Sequence, residues 1–234
     1  MTTETEKGDK SFADRLAQVE ERIRTACDRA GRARDAVTLL AVSKGHGPDR
    51  IREATEAGVA YFGESKVQEA RAKIPESPGA ARWHLVGHLQ TNKVKYVVRL
   101  FEAVHSVDSL KLLEALNQGA EGAGVSPQLF LEVNVSGEAS KFGLSPDQVP
   151  AVLEASTRLM HVDVVGVMTI PPFTEDPEQA RPYFQRLRAL RDEWRADTGI
   201  PLDELSMGMS HDLEIAIEEG ATWVRVGTDL FGAR

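Results

Sequence analysis

The sequence has a single cysteine, an excess of acidic side chains and no long apolar run. Cys27 cannot form an internal disulfide, so a reducing, cytoplasmic setting is expected. With 36 acidic and 28 basic residues, the formal net charge of −8 argues against a nucleic-acid or membrane-surface partner. The apolar runs reach only strand length, which excludes a membrane-spanning segment. No Gly-x-Gly-x-x-Gly turn follows the first run, which disfavours an open dinucleotide-binding sheet.

What the chain does have is a regular alternation of strand-like and helix-like segments. The strand-like runs are short and rich in β-branched or large apolar residues, as strands covered on both faces should be. The predicted strands are Thr38–Ser43, Ala60–Gly63, Trp83–Gly87, Ala103–Val107, Leu129–Val135, Val162–Ile170, Glu204–Met207 and Trp223–Gly227. Between them, the predicted helices are Pro48–Ala57, Val67–Ile74, Asn92–Leu100, Ser109–Leu116, Asp147–Met160, Pro177–Asp197 and His211–Glu219.

Eight strands separated by helices within 234 residues predict an α/β fold, a single (β/α)8 TIM barrel. The chain stops soon after the eighth strand, so no full helix is expected to follow it. An amphipathic segment near Phe12–Ala30 precedes the first strand instead, and we predict that it fills the open place in the outer ring. The polar start, residues 1–10, is unlike a signal peptide and is expected to be a flexible tail, with the barrel domain in residues 11–234.

Lys44 lies where the first predicted strand runs out, at the end of the barrel where working groups gather. A lysine at a strand end is most often a solvated surface residue. A partly buried amine near another cation would instead be available to attack an aldehyde. The position therefore favours imine chemistry, with a surface lysine as the alternative.

Two loops after the last strands have the composition of a phosphate site. In such barrels phosphate often binds after strands seven and eight. Ser210 precedes the predicted helix His211–Glu219, whose first N–H groups are free to bind an anion. Gly227 allows a close approach of the backbone, and Thr228 can donate from its hydroxyl and amide. For either loop alone, a helix cap or a turn is the favoured interpretation, whereas two such loops at neighbouring strand ends favour phosphate.

Arg225 is flanked by two valines inside the eighth predicted strand. If the valines face the helices, alternation turns Arg225 into the barrel. One interpretation is a structural ion pair with Glu132 or Glu64. The other is that Arg225 donates to the nitrogen of a pyridine ring, which it cannot protonate, so the ring would stay neutral and be a poor electron sink.

Several longer motifs resemble the YggS/PROSC family of pyridoxal phosphate homeostasis proteins. These motifs occur in the order of the family and span roughly residues 12 to 234. They are Ala41–Lys44, Phe62–Glu64, Trp83–Lys93, Ser106–Ser109, Val133–Gly143, Gly166–Ile170, Leu205–Ser210 and Val224–Gly227. One departure is Ser65-Lys66, where the family usually has Asn-Tyr.

The resemblance implies a barrel like the N-terminal domain of alanine racemase, with pyridoxal 5'-phosphate (PLP) held as a Schiff base on Lys44. It also implies that Arg225 faces the pyridine nitrogen. The implied cofactor-binding residues are Lys44, Ser206, Ser210, Arg225, Gly227 and Thr228. The implied function is intracellular PLP (vitamin B6) homeostasis or delivery, without an established reaction.

Three functions remain open at this point: a PLP carrier, a racemase-like PLP enzyme, and an aldolase that needs no cofactor. Racemisation needs an acid/base group on each face of the substrate. In alanine racemases an additional domain and a partner subunit supply one of them, and this chain ends before such a domain. A monomeric carrier, serving PLP-dependent apo-enzymes and having no catalytic residues, is the favoured prediction. Lys141 is a candidate for receiving the cofactor, and no metal site is expected.

Overall fold

The computed structural model describes residues 10–138 and 142–232, and in these ranges the chain forms one closed barrel. Its parallel strands follow one another in chain order, and the last pairs with the first. The strands are β1 Thr38–Val42, β2 Tyr61–Glu64, β3 Arg82–Leu85, β4 Ala103–Val107, β5 Gln128–Glu132, β6 Asp163–Met168, β7 Glu204–Met209 and β8 Trp223–Val226. The predicted TIM barrel is therefore confirmed.

Helices connect the strands on the outside of the barrel. They are α1 Phe12–Arg29, α2 Pro48–Glu56, α3 Val67–Lys73, α4 Val94–Leu100, α5 Leu110–Ala123, α6 Val149–Ser156, α7 Arg181–Thr198, α8 Leu213–Glu218 and α9 Thr228–Phe231. No helix in the described ranges is long and apolar enough to cross a membrane. The predicted tail, residues 1–10, lies outside the described residues except for Lys10.

The leading helix α1 completes the outer ring, as predicted. It packs against α8 and α9 on one side and against α2 on the other. Ser11 and Asp14 form a capping box at its start, and Phe12, Val19 and Ile23 are buried on its inner face. The helix after β8 is a single turn, α9, so α1 occupies the place that an eighth full helix would take.

The interior of the barrel changes from apolar to polar towards the carboxyl ends of the strands. Leu40, Phe130, Met168 and Trp223 form an apolar layer inside the barrel. Alternation along β8 turns Trp223 and Arg225 inward, while the valines beside Arg225 join the outer core. The predicted inward orientation of Arg225 follows directly from this alternation.

One predicted boundary near the candidate site was wrong. Helix α8 begins at Leu213 rather than at His211. The Asp212 carboxylate accepts from the Met209 N–H at 2.7 Å, which closes a turn before the helix starts. Ser210 therefore lies in this turn and is not the helix cap.

Candidate functional site: a cavity at the carboxyl ends of the strands

A cavity of about 530 Å³ opens at the carboxyl ends of the strands. Five of the six predicted cofactor-binding residues line it: Lys44, Ser210, Arg225, Gly227 and Thr228. A groove of equal volume lies at the amino ends of β3 to β5 and contains none of them. The chemistry of the lining residues, rather than the volume, identifies the first cavity as the candidate site.

Lys44 follows β1 directly, and its side chain is exposed at the cavity. The partial burial that the sequence suggested was wrong, because the cavity is open to solvent at this point. Its neighbours are more constrained: Ser43 is fully buried, and Gly45 has a φ of 82°, which favours glycine. The amine is therefore accessible and is carried on a well-determined backbone.

The two loops expected to bind phosphate lie side by side, and a residue of α1 holds them together. Arg22 donates to the Ser210 carbonyl at 2.8 Å and forms ion pairs with Glu214 and Asp229. Nothing in the sequence indicated this role for Arg22, because only the closed ring brings α1 beside these loops. Gly227 approaches the end of β1 closely, since an added Cβ would lie 3.2 Å from the Val42 carbonyl oxygen.

Arg225 forms part of the cavity and is only 4% exposed. Its guanidinium donates to the Ser206 hydroxyl at 2.7 Å and to the Thr169 carbonyl at 2.9 Å. The described carboxylates include no ion-pair partner for it, so the predicted pairing with Glu132 or Glu64 is wrong. Burial lowers the pKa of Arg225 to about 10, against the opposing effect of Asp212 and Glu132.

Ser206, the sixth predicted residue, lies beneath the cavity instead of on its wall, and it is fully buried. Its hydroxyl contacts His105 Nδ1 at 2.7 Å, and His105 Nε2 lies 3.0 Å from His84 Nδ1. Because Arg225 can only donate, the single Ser206 proton is left for His105, which then donates from Nε2 to His84. Ser206 therefore supports Arg225, and we call Arg225, Ser206, His105 and His84 the imidazole relay.

Both imidazoles of this relay are uncharged. Burial lowers the pKa of His84 to about 3, and burial together with His84 and Arg225 holds the pKa of His105 well below its ordinary value. His105 was not singled out from the sequence. Its only signal was position: His105 is two residues after Ala103 on β4 and so shares its inward face.

Glu132 ends β5 and contributes a carboxyl group to the cavity wall. The side chain is 8% exposed, and it has no hydrogen-bond or ion-pair partner within residues 10–138 and 142–232. Burial and the nearby Asp108 raise its pKa to about 7, although Arg225 acts in the opposite direction. Glu132 is therefore poised to exchange a proton near neutral pH.

The rim of the cavity is apolar and exposed. Phe142 stacks on His88 with ring centroids 3.9 Å apart, and Phe173 is 82% exposed beside His211. Ser65, where the resembled family has asparagine, reaches the cavity from the β2 loop. Lys141 lies outside the described residues, so its suggested role stays a prediction.

Comparisons with known proteins agree with this geometry. The profile of the family described as alanine racemase, N-terminal domain, matches residues 15–234. The pyridoxal phosphate homeostasis protein of Aquifex aeolicus is 45% identical over 94% of this chain and 97% of its own length. That of Pseudomonas aeruginosa is 46% identical over 96% of both chains.

A solved structure extends the agreement to the fold. PipY of Synechococcus elongatus with PLP bound superposes with a TM-score of 0.84 and is 38% identical, covering 95% of this chain and 100% of its own. Identity of this extent over whole chains places the sequence in one family with these proteins. The chain belongs to the alanine racemase N-terminal domain family and, within it, to the pyridoxal phosphate homeostasis proteins.

Proposed function

We propose that this protein binds PLP as a Schiff base on Lys44 and serves cofactor homeostasis or delivery, without catalysing a reaction of its own. The observation that carries the proposal is that one cavity brings together an accessible amine, a buried guanidinium and two phosphate-type loops. The relatives named for pyridoxal phosphate homeostasis and the PLP-bound PipY structure support the same cofactor.

The residues present fit this cofactor chemically. Bound PLP supplies an aldehyde and an electron-withdrawing ring. The Lys44 amine would form a C=N bond with the aldehyde carbon and release water. Ser210, Gly227 and Thr228 would donate to the phosphate, and Gly227 has no Cβ to obstruct the approach. Arg225 would donate to the ring nitrogen, while Ser206 acts indirectly by holding Arg225.

The state of Arg225 supports a carrier over an enzyme. An arginine donates a hydrogen bond to the ring nitrogen without transferring its proton, so carbanion chemistry is restrained. We further propose that the protein is a cytoplasmic monomer that delivers PLP to apo-enzymes. The single cysteine, Cys27, is buried and free, which suits a reducing compartment.

A racemase-like activity is the second candidate function, and Glu132 is the observation that favours it. Strands β1 and β5 lie opposite each other in the barrel order, so Lys44 and Glu132 reach the cavity from opposite sides. A carboxyl group with a pKa near 7 could serve as the second acid/base group. Steady interconversion of alanine or serine enantiomers, abolished in Glu132→Gln, would favour this enzyme over the carrier.

The test of the proposed function is covalent retention of PLP. The protein incubated with PLP should be yellow, lose this colour with borohydride, and carry the reduced adduct on the peptide that contains Lys44. Lys44→Ala should lose the adduct, whereas Lys66→Ala, a change in a nearby exposed lysine, should keep it. Retention of colour and adduct in Lys44→Ala would contradict the proposal, and transfer to an apo-enzyme would test delivery.

A further inference from the structure

Lys73 is a buried lysine that the proposed function does not use. It is the last residue of α3 and is 5% exposed. Its ammonium donates to the Ser43 carbonyl at 2.8 Å, to Glu64 Oε1 at 2.6 Å and to Glu69 Oε1 at 2.9 Å. An ammonium has three N–H donors, so all of them are engaged.

The partners of Lys73 also hold the residues on both sides of Lys44. On one side, the Ser43 hydroxyl donates to Glu64 Oε1 at 2.7 Å. On the other, the Gly45 N–H donates to Glu69 Oε1 at 2.5 Å. The two carboxylates that receive these bonds are the same two that pair with Lys73. We call Lys73, Glu64 and Glu69 the lysine clamp.

The clamp limits the movement of the backbone that carries the exposed Lys44 side chain. A lysine side chain has many accessible rotamers, so its amine is poorly localised unless the backbone that carries it is fixed. The attack of an amine on an aldehyde is faster when the two groups are held in the correct geometry, and a small displacement of either group lowers the rate. The clamp reaches both chain neighbours of Lys44, which an ion pair needed only for stability does not require.

We propose that Lys73 is a positioning residue for Lys44, holding Ser43 and Gly45 through Glu64 and Glu69 so that the amine meets the aldehyde from a fixed backbone. This inference rests on the proposed function, because it assumes that Lys44 is the residue that reacts. It adds a residue from a different helix, 29 positions along the chain from Lys44, to the machinery of cofactor attachment.

The test separates attachment from binding. The rate of C=N formation with PLP would be followed by stopped-flow absorbance, and non-covalent affinity would be measured with pyridoxamine 5'-phosphate, which has no aldehyde. Lys73→Met should slow attachment about 10- to 100-fold and change pyridoxamine phosphate affinity less than about twofold. Lys73→Arg should recover part of the rate, and Lys111→Met, a change in an exposed lysine, should match wild type.

A second readout uses the protein without any cofactor. The Gly45 amide should exchange its hydrogen faster in Lys73→Met than in wild type, because its acceptor Glu69 is no longer anchored. If Lys73→Met does not fold, Glu69→Gln keeps the Lys73–Glu64 pair and should show faster Gly45 exchange with about threefold slower attachment.

The outcomes distinguish this inference from the function on which it rests. Wild-type attachment kinetics and wild-type Gly45 exchange in Lys73→Met, or in Glu69→Gln if that is the variant that folds, would overturn the role of Lys73 alone. Equal losses of attachment rate and pyridoxamine phosphate affinity would also overturn it, since they indicate general damage to the site. A wild-type protein that forms no C=N bond with PLP would remove the proposed function, and the inference would fail with it.

Discussion

The two sides of the cavity support their key residues in opposite ways. Beneath Lys44, the lysine clamp is charged, with one buried ammonium between two carboxylates. Beneath Arg225, the imidazole relay is neutral, and each member donates to the next. In the clamp, removing one charged partner leaves a buried charge without full compensation. In the neutral relay, stability depends on each N–H or O–H donor facing an acceptor, so the position of each proton matters.

The two supports hold different parts of the residues above them. The clamp is hydrogen-bonded to the backbone of Ser43 and Gly45. It therefore fixes the backbone of Lys44 and leaves the exposed amine free to move. The relay is hydrogen-bonded to the Arg225 side chain itself, so it fixes the orientation of the guanidinium. In the proposed function, Lys44, the residue that reacts, is thus held through its backbone neighbours, and Arg225, a residue that only binds, is held at its guanidinium.

The largest effect is expected from breaking the clamp with Glu64→Leu. This change removes one of the three acceptors of the buried Lys73 ammonium and the acceptor of the buried Ser43 hydroxyl, and the free energy of unfolding should fall by ~3–5 kcal/mol. Urea unfolding at neutral pH measures it. Glu76→Leu, at an exposed glutamate, should change stability by less than about 0.5 kcal/mol. A loss below about 1 kcal/mol for Glu64→Leu would remove the distinction between the two supports.

Glu132 is the contrasting case, because it is a buried carboxyl group with no lysine paired with it in the described residues. Its pKa is raised to about 7 in the folded protein, so folding is opposed once the group ionises. Stability should therefore fall as pH rises from about 4.5 to 7, and Glu132→Gln should stabilise the cofactor-free protein by up to ~3 kcal/mol at pH 8.

At pH 5 the same change should have an effect below about 1 kcal/mol, because Glu132 is already protonated in the folded state. Unfolding curves at the two pH values provide the measurement. Removing Glu64 and removing Glu132 should thus have opposite signs. Destabilisation by Glu132→Gln at pH 8 would show that Glu132 has a stabilising partner.

A smaller loss is expected from breaking the relay with Ser206→Ala. The change leaves one Arg225 N–H and His105 Nδ1 without a partner, which should lower the free energy of unfolding by about 1–3 kcal/mol. Ser126→Ala, at an exposed serine, is the matched control. A loss as large as that of Glu64→Leu would mean that the relay is as costly to break as the charged clamp.

The smallest effect should be the response of the relay imidazoles to pH. Nitrogen NMR should find the proton on Nε2 of both His84 and His105, with no titration between pH 5 and 9, because their pKa values lie far below 6.5. Unfolded histidines take up protons near pH 6.5, so the stability from these neutral rings is present above that pH and is lost on acidification. Titration near neutrality, or an Nδ1 proton on His105, would contradict the relay.

Much of the fold could be predicted because its signals are local. Short apolar runs predicted the strands. The amphipathic pattern before β1 predicted that α1 takes the place of an eighth outer helix. The inward side of Arg225 followed from alternation within β8 alone. Ser210 was placed in the right loop, but the helix after it was predicted to begin too early, because the turn that delays α8 depends on a bond to the Asp212 side chain.

The parts that escaped prediction depend on contacts between distant segments. Ser206 and His105 are 101 positions apart and meet only across the closed barrel. Lys73 carried no signal of its own in the sequence, and its burial follows from the packing of α3 beside β2 and from its bonds to Ser43 and Glu64.

Local periodicity alone set the alternation of strands and helices, the direction of each strand side chain and the placing of Lys44, Ser210, Arg225, Gly227 and Thr228 at one end of the strands. The side chains that lie beneath these residues were set instead by how the chain packs. Periodicity fixes which face a residue occupies, but a buried polar group is stabilised by whichever partner the packed chain brings within hydrogen-bond distance. The clamp and the relay therefore exist only once the ring of strands and helices has closed.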